Sequence, residues 1–105
     1  MKLSIKERLL FPQLYPAKAS LTDQILVKDV RKKVELTQKD ITEYEVKSTP
    51  QTITWNPNKV KSKNVTFTDA ELDFLKKQIE AKDKENAITQ EILDLCIKIK
   101  NEKIN

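Results

Sequence analysis

Glu45-Val46-Lys47-Ser48, Thr52-Ile53-Thr54-Trp55 and Asn64-Val65-Thr66-Phe67 alternate polar with apolar side chains and are rich in β-branched residues. That is the pattern of short strands with one half-buried face. Pro50 and the run Asn56-Pro57-Asn58 punctuate them as turns. Read together, residues 45–67 are expected to form a small three-stranded antiparallel β-meander. This stretch alone separates an α+β fold from an all-helical one.

Everything on either side has helical spacing. Downstream, Thr68-Asp69-Ala70-Glu71 is a capping box, and Leu72, Leu75 and Ile79 recur on one face with Phe74 widening it, which predicts a helix over 69–82. Asp83-Lys84-Glu85-Asn86 breaks it, and Ile88, Ile92, Leu95 and Ile99 mark a final helix over 89–102. Upstream, Ser4-Ile5-Lys6-Glu7 caps a short helix over 4–11, beyond which Pro12 and Pro16 forbid continuous helix. Ser20-Leu21-Thr22-Asp23 opens a helix over 21–35 carrying Leu26, Val27, Val30 and Val34, and Thr37-Gln38-Lys39-Asp40 opens a third over 38–44. Leu9, Leu10, Phe11, Leu14 and Tyr15 are too apolar to stay solvated in a chain only 38% hydrophobic. They are read as an arm that packs on the last two helices, where Leu14→Ala costs about 2 to 5 kcal/mol. The expectation is one mainly helical α+β domain spanning 1–105, with an N-terminal helix and arm over 1–16, the meander over 45–67 and a C-terminal helix pair over 69–102.

Composition removes most chemistry. There is no histidine, so no imidazole base or ligand and no Ser-His or Cys-His nucleophile pair. No glycine is present, so there is no phosphate-cradling loop, dinucleotide turn or nucleophile elbow. Carboxylate pairs such as Asp69 with Asp73 read as solvated helix faces rather than acid/base couples. Cys96 has no partner within the chain and sits in an apolar run, as a buried inert thiol does. Asp83-Lys84-Glu85-Asn86-Ala87-Ile88-Thr89 lacks the turn glycine of a calcium loop, and Asp94 stands where that loop needs glutamate. No catalytic residue, metal ligand or cofactor is expected. The charged start Met1-Lys2-Leu3-Ser4-Ile5-Lys6-Glu7-Arg8 and the absence of an apolar run near the roughly 20 residues that cross a bilayer lead to the expectation of a cytoplasmic protein without membrane contact.

The formal charge of +4 is unevenly spread: +3 over 1–20, −1 over 21–45, +4 over 46–68 and −2 over 69–105. The loop 56–64, with Lys59, Lys61 and Lys63 close to Trp55, has the composition of a strip that follows a phosphate backbone. Against this, 18 of the 20 basic residues are lysine, whereas arginine is the residue that grips phosphate bidentately. The last helix carries a second signal. Gln90, Asp94, Lys98 and Asn101 form its polar stripe, with Asp94 and Lys98 spaced as an i, i+4 ion pair, and Ile92, Leu95, Cys96 and Ile99 suffice for the core. Leu93 and Ile97 extend the apolar arc to about 200°, beyond the roughly 100° of an ordinary surface helix. Either the N-terminal arm covers them, or they form a surface for self-association or another protein.

Lys2-Leu3-Ser4-Ile5-Lys6-Glu7-Arg8-Leu9-Leu10, Leu14-Tyr15-Pro16, Leu36-Thr37-Gln38-Lys39-Asp40-Ile41, Ile53-Thr54-Trp55-Asn56 and Ile88-Thr89-Gln90-Glu91-Ile92-Leu93-Asp94-Leu95 together resemble small bacteriophage- and prophage-encoded proteins of uncharacterised function. The resemblance implies a viral setting in a host cytoplasm and carries no activity with it. The functional expectation is a non-enzymatic protein acting through contact with itself, a host protein or a virion protein, as an assembly component or a host-protein modulator. The alternative is a nucleic-acid-binding accessory protein that uses the loop 56–64.

Overall fold

Side-chain oxygens at the helix starts do much of the local work. In a computed structural model that describes residues 1–104, Ser4, Thr37 and Thr68 each accept a hydrogen bond from the third amide of the helix they open, and Glu7, Asp40 and Glu71 reach back to the cap amides. Two otherwise orphaned donors are satisfied each time. The helices so capped are α1 (Ile5–Leu10), α3 (Gln38–Glu43) and α4 (Asp69–Lys84). Ser20 caps α2 (Leu21–Val34) through the Asp23 amide alone, and α5 (Gln90–Asn101) follows Thr89 without a side-chain cap. Beyond α1, Phe11–Leu14 tighten into a 3-10 turn with Pro12 near its start, where the missing amide costs nothing.

Glycine's absence is felt at the other helix ends. Glu45 and Asn86 adopt the left-handed conformation, with φ of 53° and 55°. Each follows a helix whose end closes in one pattern. Val46 and Ala87 donate to the carbonyls of Ile41 and Lys82, and Glu45 and Asn86 donate to those of Thr42 and Asp83. These are Schellman caps with non-glycine residues where glycine is the usual choice.

Helix α4 lies between α2 and α5 and runs antiparallel to both, as contacts of Lys33 with Glu71 and of Lys76 with the Lys100 carbonyl fix. The arm formed by α1 and the 3-10 turn packs on α2, α4 and α5. Leu10, Phe11 and Leu14 join Val30, Val34, Leu75, Ile92, Leu95 and Ile99 in one core, with the Phe11 and Phe67 ring centroids 5.9 Å apart. The arm thus packs where expected and touches α2 as well. The phenol oxygen of Tyr15 is buried without a hydrogen-bond partner, and burial pushes its pKa up to about 12, Arg31 pulling it down and Glu35 raising it.

The expected three-stranded meander does not form. Among the described residues there are two separate two-stranded antiparallel sheets. Strand β2 (Lys47–Ser48) pairs with β3 (Ile53–Thr54) in a hairpin whose strand residues are all exposed. Strand β4 (Lys63–Asn64) turns instead to β1 (Lys2–Leu3), with Lys2 opposite Asn64 and Leu3 opposite Lys63, and Met1 and Val65 exchange backbone bonds of 2.8 Å. Two forces oppose the meander. The Asn56 amide donates to the Tyr44 carbonyl while Glu45 grips Asn56 and Lys59, which pins the chain after β3 against the end of α3. Pairing with β1, in turn, buries Leu3 and Val65 in the core, which an exposed hairpin cannot offer.

Ion pairs also tie distant elements. Arg8, 2% exposed, donates from Nε to the Val34 carbonyl (2.9 Å) and from a terminal nitrogen to the Glu35 carbonyl (2.9 Å) and Asp40 Oδ2 (2.8 Å). Lys33 joins buried Glu71, with its Nζ also on the Thr66 carbonyl. Lys98 forms no bridge with Asp94, as its spacing had suggested. Its Nζ reaches Glu7 at 2.7 Å and the Lys2 carbonyl at 2.9 Å, because α1 lies across that side of α5.

Acid sensitivity follows from two of these carboxylates. Burial raises the pKa of both Glu7 and Asp40. Hydrogen bonds outweigh it, from Lys98 and the Ser4 amide to Glu7 and from the Thr37 amide and Arg8 to Asp40, so both lie below their ordinary 4.5 and 3.8. A carboxyl held below its unfolded value contributes stability above that value and loses it as pH falls through the folded one. The urea midpoint should therefore be flat near neutrality and drop once pH passes below 4.5. Glu7→Gln with Asp40→Asn should flatten the acid limb; an unchanged limb would show that other groups set it.

Candidate functional site

Helical geometry decides what the breadth of the apolar arc on α5 means. At 100° per residue, Glu91 and Lys98 fall on nearly the same line of α5, and that line faces the arm: Gln13 Nε2 bonds Glu91 Oε2 at 3.4 Å and Lys98 meets Glu7. Cys96, Leu93 and Ile97 lie roughly 120° to 160° round from Glu91. The arm therefore covers the opposite side and leaves Leu93 and Ile97 uncovered, with Cys96 buried in the core beside them.

A cleft of about 380 Å³ runs there between α4 and α5. Its apolar floor comprises Ile79, Ile88, Leu93, Cys96 and Ile97. Leu93 is half-buried and Ile97 is 48% exposed, so Ile97 is the member most available to a partner. Charges on the rim are sorted by position. Lys76 and Lys100 meet at one end, where Lys76 Nζ donates to the Lys100 carbonyl at 2.8 Å, and Glu80 and Asp83 lie one and two turns further along α4. Burial pushes the Cys96 thiol above its ordinary pKa, with Lys82 offsetting a part. A thiol held protonated is a poor nucleophile. Among the described residues no group of three or more His, Cys, Asp or Glu side chains is gathered to hold a metal ion. What the cleft offers is apolar surface framed by opposite charges, suited to binding another surface.

The basic loop is partly engaged within the fold. Lys59 is paired with Glu45 at 3.0 Å, Asn56 Nδ2 donates to the same carboxylate at 2.7 Å, and Lys63, within β4, donates to the Lys33 carbonyl at 3.3 Å. Trp55 is half-buried, and Lys61 is exposed. Lys59, Lys61 and Lys63 are thus all exposed, with Lys59 and Lys63 each engaged by an oxygen of the fold. Leu21 and Ile25, on the first turns of α2, form a further apolar pair at 80% and 51% exposure. Sequence reasoning missed the rim charges of the cleft. The signal was available in the spacing of Lys76, Glu80 and Asp83, which places all three on one side of α4. No helix among the described residues is long and apolar enough to cross a membrane.

Comparison with protein-family models, with curated proteins and with solved structures finds no match to this chain.

Proposed function

We propose that this chain is a non-enzymatic interaction protein whose working surface is the α4–α5 cleft. The observation that carries the reading is Ile97, a large apolar side chain 48% exposed on the wall of a continuous apolar cleft. An exposed isoleucine is ordinary alone; one that extends a concave apolar patch with a charged rim marks a contact site. The phage or prophage setting, and with it a role as assembly component or host-protein modulator, rests on the sequence resemblance and belongs to the same proposal. Nucleic-acid binding through residues 56–64 ranks below it, since Lys59 and Lys63 are engaged within the fold.

The test is affinity capture from an expressing host with three baits: wild type, Ile97→Glu, and Leu21→Glu with Ile25→Glu as a control patch. All replaced positions are exposed, so all baits should fold. A partner retained by wild type and the control but lost by Ile97→Glu is the expected result. Loss on the α2 control alone would move the working surface to α2 and sink the proposal.

A further inference from the structure

We infer that the occupant of the α4–α5 cleft is an amphipathic helix of another protein, acidic in its first turn and basic in its last, lying parallel to α4. The inference rests on the proposed use of the cleft and names the partner's chemistry. Both walls of the cleft are helical. An extended segment would find no strand to pair with there, whereas the convex ridge of a helix fills a groove between two others. Lys76 meets Lys100 at one end, and counting along the two antiparallel helices sets Glu80 level with Ile97 and Asp83 level with Leu93. From the first pair to the last is about 10 Å, or two helical turns. Three apolar side chains at i, i+3 or i+4, and i+7 of a partner span that length over the floor made by Ile79, Leu93, Cys96 and Ile97.

Charge gives the occupant its direction. The rim is cationic at Lys76 and Lys100 and anionic along Glu80 and Asp83. None of these four side chains forms an ion pair among the described residues, although Lys76 and Glu80 have the i, i+4 spacing at which Asp73 and Lys77 do pair on the same helix. Lys76 donates to the Lys100 carbonyl instead, which holds its charge at that end. The rim thus presents uncommitted charges of both signs in a fixed order. A complementary helix sets carboxylates over the lysines and lysines over the carboxylates. An acidic first turn and a basic last turn are also what a helix's own dipole favours, so the cleft selects charges that a stable helix already carries. Its first turn lies at the lysine end, and it runs with α4. A face of one sign throughout would meet its own sign at one end of the rim.

Titration of the purified full chain with three designed peptides, followed through its amide resonances by NMR at physiological salt, decides it. Each peptide is about 12 residues long and stapled on its outer face, because free helices of that length are marginal. All share one leucine stripe; the first is acidic in its first turn and basic in its last, the second basic in both and the third acidic in both. The first should shift the resonances of Ile97 and Lys100 and bind at least about tenfold more tightly than either of the others. Attraction by the net charge of +4 alone would favour the third. Glu80→Lys with Asp83→Lys, both at exposed positions, should transfer the preference to the third peptide, whereas Asp29→Lys with Glu43→Lys, exposed on α2 and α3, should leave it with the first. The ranking of the three peptides on wild type decides alone if a variant loses its helical circular dichroism. No saturable binding up to about 1 mM peptide, equal affinity for all three, or a preference that Glu80→Lys with Asp83→Lys does not move would each overturn the inference. So would decanoate filling the cleft where the peptides do not, which would assign it to a small amphiphile. Peptides are read on purified protein and the dependence on Ile97 on capture, so the inference and the functional reading can fail separately.

Discussion

Arg8→Ala should lower stability by about 3 to 5 kcal/mol, a large share of the roughly 5 to 15 kcal/mol that holds a small domain together. Its guanidinium, with the side chain 1% exposed, satisfies the last carbonyls of α2 and the Asp40 carboxylate at once. Truncation strands the buried Val34 carbonyl away from water and leaves the part-buried Glu35 carbonyl and Asp40 carboxylate without their donor. The cation also sits at the negative pole of α2, where a positive charge is favoured. Lysine cannot replace it, since a single ammonium lacks the planar fork that reaches three separated oxygens; Arg8→Lys should recover less than half of the loss. Urea denaturation of Arg8→Ala, Asp40→Asn and the double variant measures the coupling. Additive losses would show that the two side chains act independently and that the geometry is incidental.

Phe11→Ala should cost about 3 to 5 kcal/mol and Leu14→Ala about 2 to 5 kcal/mol. Both side chains are effectively inaccessible, at 0% and 1%, and the 3-10 turn that carries them is wedged between α2 and α4. The cavity left by Phe11 borders Phe67, whose position after β4 is fixed by the pairing of β1 with β4. That constraint limits collapse and argues for the upper half of the range. Thermal unfolding monitored at 222 nm reads the loss; a midpoint unchanged by both substitutions would remove the arm from the core.

Elements specified by near neighbours were legible. The expected helices over 4–11, 21–35, 38–44, 69–82 and 89–102 correspond to α1 through α5 within about two residues at each end, because caps and apolar stripes act over three or four positions. What was not legible involves partners far apart in the chain. Lys2-Leu3 is too short to show a strand period, and its partner at Lys63-Asn64 lies some sixty residues away, so nothing local favoured β1 over β3 as the neighbour of β4. Nothing local marked Arg8 for burial, since its acceptors lie 26 to 32 residues on. Lys98 met the spacing rule with Asp94 and was claimed instead by Glu7, 91 residues back. The site was half legible for the same reason. The arc width on α5 singled out Leu93 and Ile97, but only the placement of the arm determined that the structure leaves Ile97 open.

The bond from Lys98 to the Lys2 carbonyl joins residues 96 apart, and that separation has a meaning in time. A ribosome adding about 5 to 20 residues per second needs roughly 5 to 20 s to travel between them. For that interval Leu10, Phe11 and Leu14 have emerged while the α5 side of their pocket does not yet exist. The most apolar part of the amino-terminal half is thus made well before its cover is complete. Slower translation lengthens the window in which it can be seized by a chaperone or by another nascent chain.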